Sequence, residues 1–305
     1  MARDVQNVGA SVRARLLNLA KERGVDFQLL AIRYGLERLL YRLSVSPHRN
    51  RFVLKGAMLF PVWLDDILRP TRDVDFLGYG DDDVAAMEAV FRDICTMEVP
   101  DDGVSFDSDQ VSASRIKEDT EYGGIRLQTE ALLDSMKLPI RVDIGFGDAV
   151  TPRVESAEYP ALLDAPAPIL GSYPRETVVA EKFQATVALG AANSRMKDFY
   201  DLWMLSQRFD FDGALLTKAV EATFSRRRTA LPSETPVGLS DDLAKSTAKQ
   251  NQWHAFLNRE PLADAPGQLI TVTTGLREFL LPIVVGLQRG QPVGSWAAGG
   301  PWRRR

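Results

Sequence analysis

Apolar residues recur every three to four positions along "ASVRARLLNLAKERG" and "DFQLLAIRYGLERLLYRLS", with arginines interspersed. That spacing predicts two amphipathic helices whose arginines occupy the polar face. The run "RFVLKG" then turns β-like, and a small-residue turn leads into a short helix, "AMLFPVWLDD". "DVDFLG" alternates polar and apolar residues as a strand does, and "DDVAAMEAVFRDIC" returns to helical spacing. Between about Val104 and Val154 the pattern is strand-like in "QVSASRIKE", "GIRLQTEALL" and "LPIRVDIGFG", with Gly123-Gly124 as the expected hairpin turn. "TPRVESAEYPALLDAPAPILGSYP" is proline-rich and reads as an irregular boundary. After Pro174 the signals are nearly all helical, beginning with "RETVVAEKFQATVALG". The expected plan is α+β, with an α/β head over 1–155 and a mostly helical C-terminal domain over 156–305. No internal repeat or low-complexity tract is visible.

Composition narrows the function classes. A chain of 305 residues with 45% apolar and 26% charged content is long enough to bury a sizeable core. The net charge of −4 means that any polyanion site must be a local basic patch. Cys95 is the single cysteine, so no internal disulfide can form. The two histidines, His48 and His254, lie far apart without metal-ligand spacing, and zinc is not expected. The stretch "MARDVQNVGASVRARL" has no apolar signal-peptide core, and "FLLPIVVGL" falls short of the roughly 20 residues of a membrane span. A soluble cytoplasmic protein with no membrane partner is the expectation.

The chemistry centres on "TRDVDF". In a strand, side chains alternate between faces, so Asp73 and Asp75 share one face while Val74 and Phe76 point to the other, into the core. Two carboxylates held this close repel unless a cation lies between them. Mg²⁺ takes hard oxygen ligands and leaves positions open for water and substrate phosphates. The bland alternative is a strand ending at a wet surface. Three features favour the metal. In "LKGAM", Gly56 enters a short helix, where backbone N–H groups can approach a phosphate, which makes Lys55, Gly56 and Ala57 nucleotide-binding candidates. In "LPIRVDIGFG", Asp143 offers a third carboxylate opposite Val142 and Ile144, as a metal ligand or as base for an attacking hydroxyl. Lys182 lies on the stripe of Val178, Val179, Thr186 and Leu189, where it either snorkels or holds a triphosphate. Arg69 and Thr71 precede the acidic strand, where they contact phosphate or close the loop.

In this order, a glycine turn, a short helix, Asp-x-Asp on a strand and a later strand aspartate look like the minimal nucleotidyltransferase pattern. The chain resembles the AbiEii/AbiGii family of nucleotidyltransferase toxins, which includes the MenT toxins. The matching stretches are "FVLKGAMLF", "RPTRDVDFLG", "DDGVSF", "YGGIRL", "RVDIGFGD", "ETVVAEKFQA", "NSRMKDFYDLW", "TFSRRRT", "QWHAFL" and "GGPW", from about Phe52 to Trp302. The resemblance implies a polymerase-β-like nucleotidyltransferase fold with a helical C-terminal domain. It implies Mg²⁺ or Mn²⁺, an NTP substrate and transfer of NMP onto RNA, in relatives the 3′ end of tRNA. It also implies a cognate antitoxin and a link to phage defence. The family's metal pair falls on Asp73 and Asp75, its strand aspartate on Asp143, its lysine on Lys182, and its last acidic motif on Asp198 and Asp201. One departure is Gly56-Ala57, where nucleotidyltransferases often carry Gly-Ser or Gly-Gly. Ala57 has no hydroxyl, so phosphate contact there would rest on backbone N–H groups.

Asp198 and Asp201 are neighbours on one helix face beside Phe199, Leu202 and Trp203. They form a solvated face paired with Arg195 or Lys197, or, following the resemblance, contact the nucleotide or Lys182. Arg226, Arg227 and Arg228 in "SRRRT" are either solvated or contact an RNA backbone. The terminal "WRRR" is a second basic cluster. Two rivals to the enzyme remain open: a catalytically silent nucleotide- or RNA-binding module, and a metal-dependent nuclease, since paired carboxylates serve that chemistry too.

Overall fold

The computed structural model describes residues 7–64, 71–116, 123–259, 262 and 264–303. The chain divides into two compact units, one of residues 1–147 and 155–172, the other of 148–154 and 173–305.

The first unit contains helices α1 (Val8–Arg23), α2 (Phe27–Val45), α3 (Phe60–Trp63) and α4 (Val84–Cys95). Its strands are β1 (Phe52–Lys55), β2 (Asp73–Gly78), β3 (Val104–Phe106), β4 (Ser112–Ile116), β5 (Gly124–Leu133), β6 (Met136–Phe146), β7 (Glu155–Glu158) and β8 (Ile169–Ser172). They form one sheet in the order β3-β5-β6-β2-β1-β8-β7, with β4 also on β5. The β2–β6 and β1–β8 pairs are parallel and the others antiparallel. Within the proline-rich stretch, β7 and β8 complete the sheet on β1, where the sequence suggested irregular chain. Four-residue strands bounded by prolines carry too little periodicity to be read locally. Gly124 is the first residue of β5, opposite Ile116; residues 117–122, between the two strands, lie outside the described ones.

Helix α2 packs on β6, and Gly35 permits the approach: a Cβ there would press on the side chains of Leu138 and Ile140 at 3.2 and 3.3 Å. Phe91 of α4 meets Phe52, which meets Phe76. These helices therefore cover the sheet face of Leu138, Ile140, Val142, Phe52 and Phe76, all buried.

The arginines of α2 do not all lie on a solvated face. Arg38 is fully buried, donates to Glu37 and the Pro166 carbonyl, and lies 5.7 and 5.3 Å from the Tyr34 and Tyr41 rings. Arg42 donates to both carboxylate oxygens of Asp102 at 2.7 and 3.2 Å and to the Val104 carbonyl. Asp102 also accepts from the Val104 N–H, and its carbonyl accepts from Tyr34. The "DDGVSF" stretch is thus a buried ionic joint between α2 and β3. Burial pushes the Cys95 thiol up to about 12, so it packs as an inert apolar group.

The second unit holds α5 (Arg175–Leu189), α6 (Met196–Arg208), α7 (Gly213–Arg226), α8 (Asp241–Lys245), α9 (Thr247–Arg259) and α10 (Leu269–Arg289). A small sheet joins β9 (Phe211–Asp212), β10 (Ser295–Trp296) and β11 (Trp302–Arg303). Trp302 stacks on Phe279, Trp296 packs on both, and Gly300 at φ 80° leaves room for the Trp296 ring. Among the described residues, α10 is the one helix long and apolar enough to cross a membrane. It also carries core residues, with Val272, Leu276, Phe279, Leu280 and Ile283 fully buried.

Asp102→Ala would strand the Arg42 guanidinium inside the fold. The expected loss is about 3–5 kcal/mol of unfolding free energy, read from urea denaturation. A loss below about 1 kcal/mol would mean the pair behaves as a surface pair.

Candidate active site

Strand geometry assembles the acidic site in the first unit. Val74 and Phe76 are buried, as are Val142 and Ile144, so Asp73, Asp75 and Asp143 project from the opposite face, half-exposed. The parallel register places Asp75 beside Asp143 and Asp73 beside Arg141. Antiparallel pairing then sets Lys55 opposite Asp75 and Arg126 opposite Asp143. One row of the sheet thus runs Arg126, Asp143, Asp75, Lys55.

Arg126 grips Asp143 with both arms of its fork: Nε donates to Oδ1 at 2.8 Å and Nη2 to Oδ2 at 2.6 Å. The bond to Asp143 raises the Arg126 pKa, and the charges of Asp73 and Asp75 add to it. Arg141 Nη1 lies 3.5 Å from Asp73 Oδ1. The Thr71 hydroxyl accepts from the Asp73 N–H and donates to the Asp73 carbonyl, closing the turn into β2. Arg69 lies outside the described residues.

Gly56 has a steric task at this site. It sits at φ 72°, and a Cβ built there would collide with the Asp75 carboxylate. The missing side chain makes room for Asp75 against the turn. Residues Gly56–Leu59 form a 3₁₀ turn followed by the four-residue α3. That is too short to present a substantial helix dipole to an anion. Ala57 is buried.

Oxygen-only donors suit a hard cation, and two carboxylates from one strand fit Mg²⁺ or Mn²⁺, whose shell is completed by water or phosphate oxygens. Among the described residues no three His, Cys, Asp or Glu side chains converge on a metal position. Asp143 already accepts from Arg126 through both of its oxygens. Sequence reasoning passed over Arg126. The alternation in "GIRLQTE" puts it on the polar face of its strand, but its partner depends on register.

In the second unit, Lys182 of α5 neither snorkels nor stands alone. Its Nζ donates to Asp198 Oδ1 at 2.6 Å and lies 3.0 Å from Asp201 Oδ2. All three side chains are largely buried, Asp201 completely. The i, i+3 spacing on α6 presents both carboxylates to one ammonium.

The arginine triplet separates into two kinds. Arg227 binds Asp148 and Gln184 and lies 3.3 Å from Glu181. Its burial lowers its pKa, but Glu181 and Asp148 more than offset that, and the net shift is upward. Arg226 and Arg228 are exposed. Asp148 and Glu181 were not singled out in the sequence, because an ionic partner 79 positions away leaves no local signal.

The model of the AbiEii family, described as nucleotidyl transferase AbiEii toxin of a type IV toxin–antitoxin system, matches residues 38–273. Among solved structures, JHP933 from Helicobacter pylori matches with a TM-score of 0.50 and 15% identity, over 87% of this chain and 95% of its own. A second H. pylori structure matches with a TM-score of 0.48 and 14% identity, over 88% of this chain and 99% of its own. No curated protein matches. At 15% identity, the likeness to JHP933 speaks for the fold alone: an α+β architecture with a helical C-terminal region.

Lys182→Met keeps the apolar stem but leaves Asp198 and Asp201 facing each other inside the helical unit. The expected cost is about 3–5 kcal/mol in denaturant unfolding, with part recovered when Asp201→Asn is added. An unchanged midpoint in the single variant would show that the ammonium contributes nothing to the fold.

Proposed function

Because this chain belongs to the AbiEii nucleotidyl transferase toxin family of type IV toxin–antitoxin systems, we propose that it transfers NMP from an NTP to an RNA acceptor, the 3′ end of tRNA. The family implies an NTP substrate and an antitoxin partner. The observation that carries the finer reading is the set of Asp73, Asp75 and Asp143 on one face of adjacent strands, beside the Gly56 turn.

In this reading Asp73 and Asp75 hold Mg²⁺ or Mn²⁺, and Asp143 is the third carboxylate. A cation bound there would neutralise phosphate charge as it builds. An acceptor hydroxyl oxygen forms a bond to the α-phosphorus, the bond from the α-phosphorus to the α–β bridging oxygen breaks, and pyrophosphate leaves. The hydroxyl proton passes to water. Lys55, Gly56, Ala57 and Thr71 border the nucleotide. Lys182, kept oriented by Asp198 and Asp201, is the helical unit's own candidate for holding a triphosphate. The cell compartment is the cytoplasm, and the outcome of tRNA capping is growth arrest during phage infection.

The test is incubation with each α-labelled NTP, Mg²⁺ and total RNA. Label is expected on intact RNA of tRNA size, and Asp73→Asn or Asp75→Asn should lower its transfer about a hundredfold or more. Shortened, unlabelled RNA would point to a nuclease instead, and full activity in either variant would remove the acidic pair from the site.

Arg226 and Arg228 are proposed to contact the RNA backbone. Replacing both with glutamine should flatten the salt dependence of RNA binding by about 1.5 units of log K per log salt, with NTP affinity unchanged. Arg227→Gln should instead reduce stability, since it leaves Asp148 and Glu181 without their shared cation. An unaltered salt slope in the double variant would leave these arginines as solvated surface.

A further inference from the structure

We propose that Arg126 ties cation binding to nucleotide binding: its fork neutralises Asp143 in the free protein and gives that carboxylate up only when a triphosphate takes the fork instead. This rests on the nucleotidyltransferase reading above.

The geometry is specific. Both oxygens of Asp143 are occupied by Arg126, at 2.8 and 2.6 Å. Three carboxylates on this sheet face, Asp73, Asp75 and Asp143, are matched by three cations in register with them, Arg141, Lys55 and Arg126. A bare divalent ion approaching such a face meets little net negative charge, and one of the three carboxylates is already spoken for. Arg126 is also placed to exchange partners. Its side chain is 39% exposed, against 22% for Asp143, so the guanidinium can reach an entering anion without unfolding the strand. A guanidinium fork matches phosphate oxygens as well as carboxylate oxygens. A triphosphate would therefore substitute for Asp143 on Arg126 and free Asp143 toward the Asp73–Asp75 pair. The bland alternative is a cross-strand strap between β5 and β6, which would fix the hairpin and leave cation affinity untouched.

The experiment titrates the full chain with Mn²⁺, reading free ion by electron paramagnetic resonance. Titrations run without nucleotide and with α,β-methylene triphosphate analogues of the four nucleosides. The proteins are wild type, Arg126→Gln, Arg126→Lys, and Arg126→Gln with Asp143→Asn. Arg126→Gln is expected to bind Mn²⁺ alone about tenfold tighter, the order of a single contact's coupling energy. It should also bind the analogue at saturating Mn²⁺ about tenfold more weakly. The added Asp143→Asn should cancel the gain in Mn²⁺ affinity. Arg126→Lys, which keeps the charge but loses the fork, should fall between and serves as the readout if the glutamine variant does not fold. Mn²⁺ affinity that is unchanged or lower in the Arg126 variants, while wild type binds both ligands, would overturn the proposal and leave Arg126 as a strap. A wild type that binds neither Mn²⁺ nor any analogue would overturn the nucleotidyltransferase reading itself.

Discussion

Repulsion among carboxylates on one sheet face is the constraint around which the first unit is arranged. Parallel pairing of β2 with β6 sets Asp75 beside Asp143 at the strand spacing of about 4.8 Å. Two unit charges at that distance repel by roughly 1–3 kcal/mol, depending on how far water screens them. Asp73 adds a third charge to the same face. The fold meets this with Arg126 on Asp143, Arg141 near Asp73, and Lys55 in register with Asp75. Gly56 belongs to the same solution, since its missing Cβ is what allows the Asp75 carboxylate to lie against the turn. Three carboxylates and three cations thus share this sheet face, which is kept near neutrality.

The second unit handles buried charge by the opposite distribution, one cation shared by two carboxylates. Lys182 serves Asp198 and Asp201, and Arg227 serves Asp148 and Glu181. Such clusters add little net stability, because desolvation offsets the attraction, yet losing one member is costly. They fix side chains more than they strengthen the fold. Lys182 is consequently held in one orientation by two carboxylates.

Several of the stretches on which the resemblance rests do packing work. Asp102 in "DDGVSF" joins α2 to β3 through Arg42. Trp253 in "QWHAFL" is fully buried, and its indole donates to the Pro266 carbonyl. Trp302 in "GGPW" stacks on Phe279 and donates to its carbonyl. These residues hold the scaffold, whereas "TRDVDF" and "RVDIGFGD" supply the carboxylates of the proposed chemistry.

Period-two alternation in "DVDFLG" and "LPIRVDIGFG" was enough to place Asp73, Asp75 and Asp143 away from the core, because backbone geometry fixes the face of a strand residue within a few positions. The helical stretches were legible for the same reason, and the ordered set of short motifs pointed to the family. Register was not legible. That β6 lies beside β2, that Arg126 faces Asp143, and that β7 and β8 emerge from a proline-rich stretch all depend on pairings between distant segments. The same holds for charge: arginines that periodicity assigned to a wet face are buried in α2 wherever a partner such as Asp102, 60 positions on, arrives to meet them. Local spacing decides which way a side chain points, and the closing of the chain on itself decides what it meets.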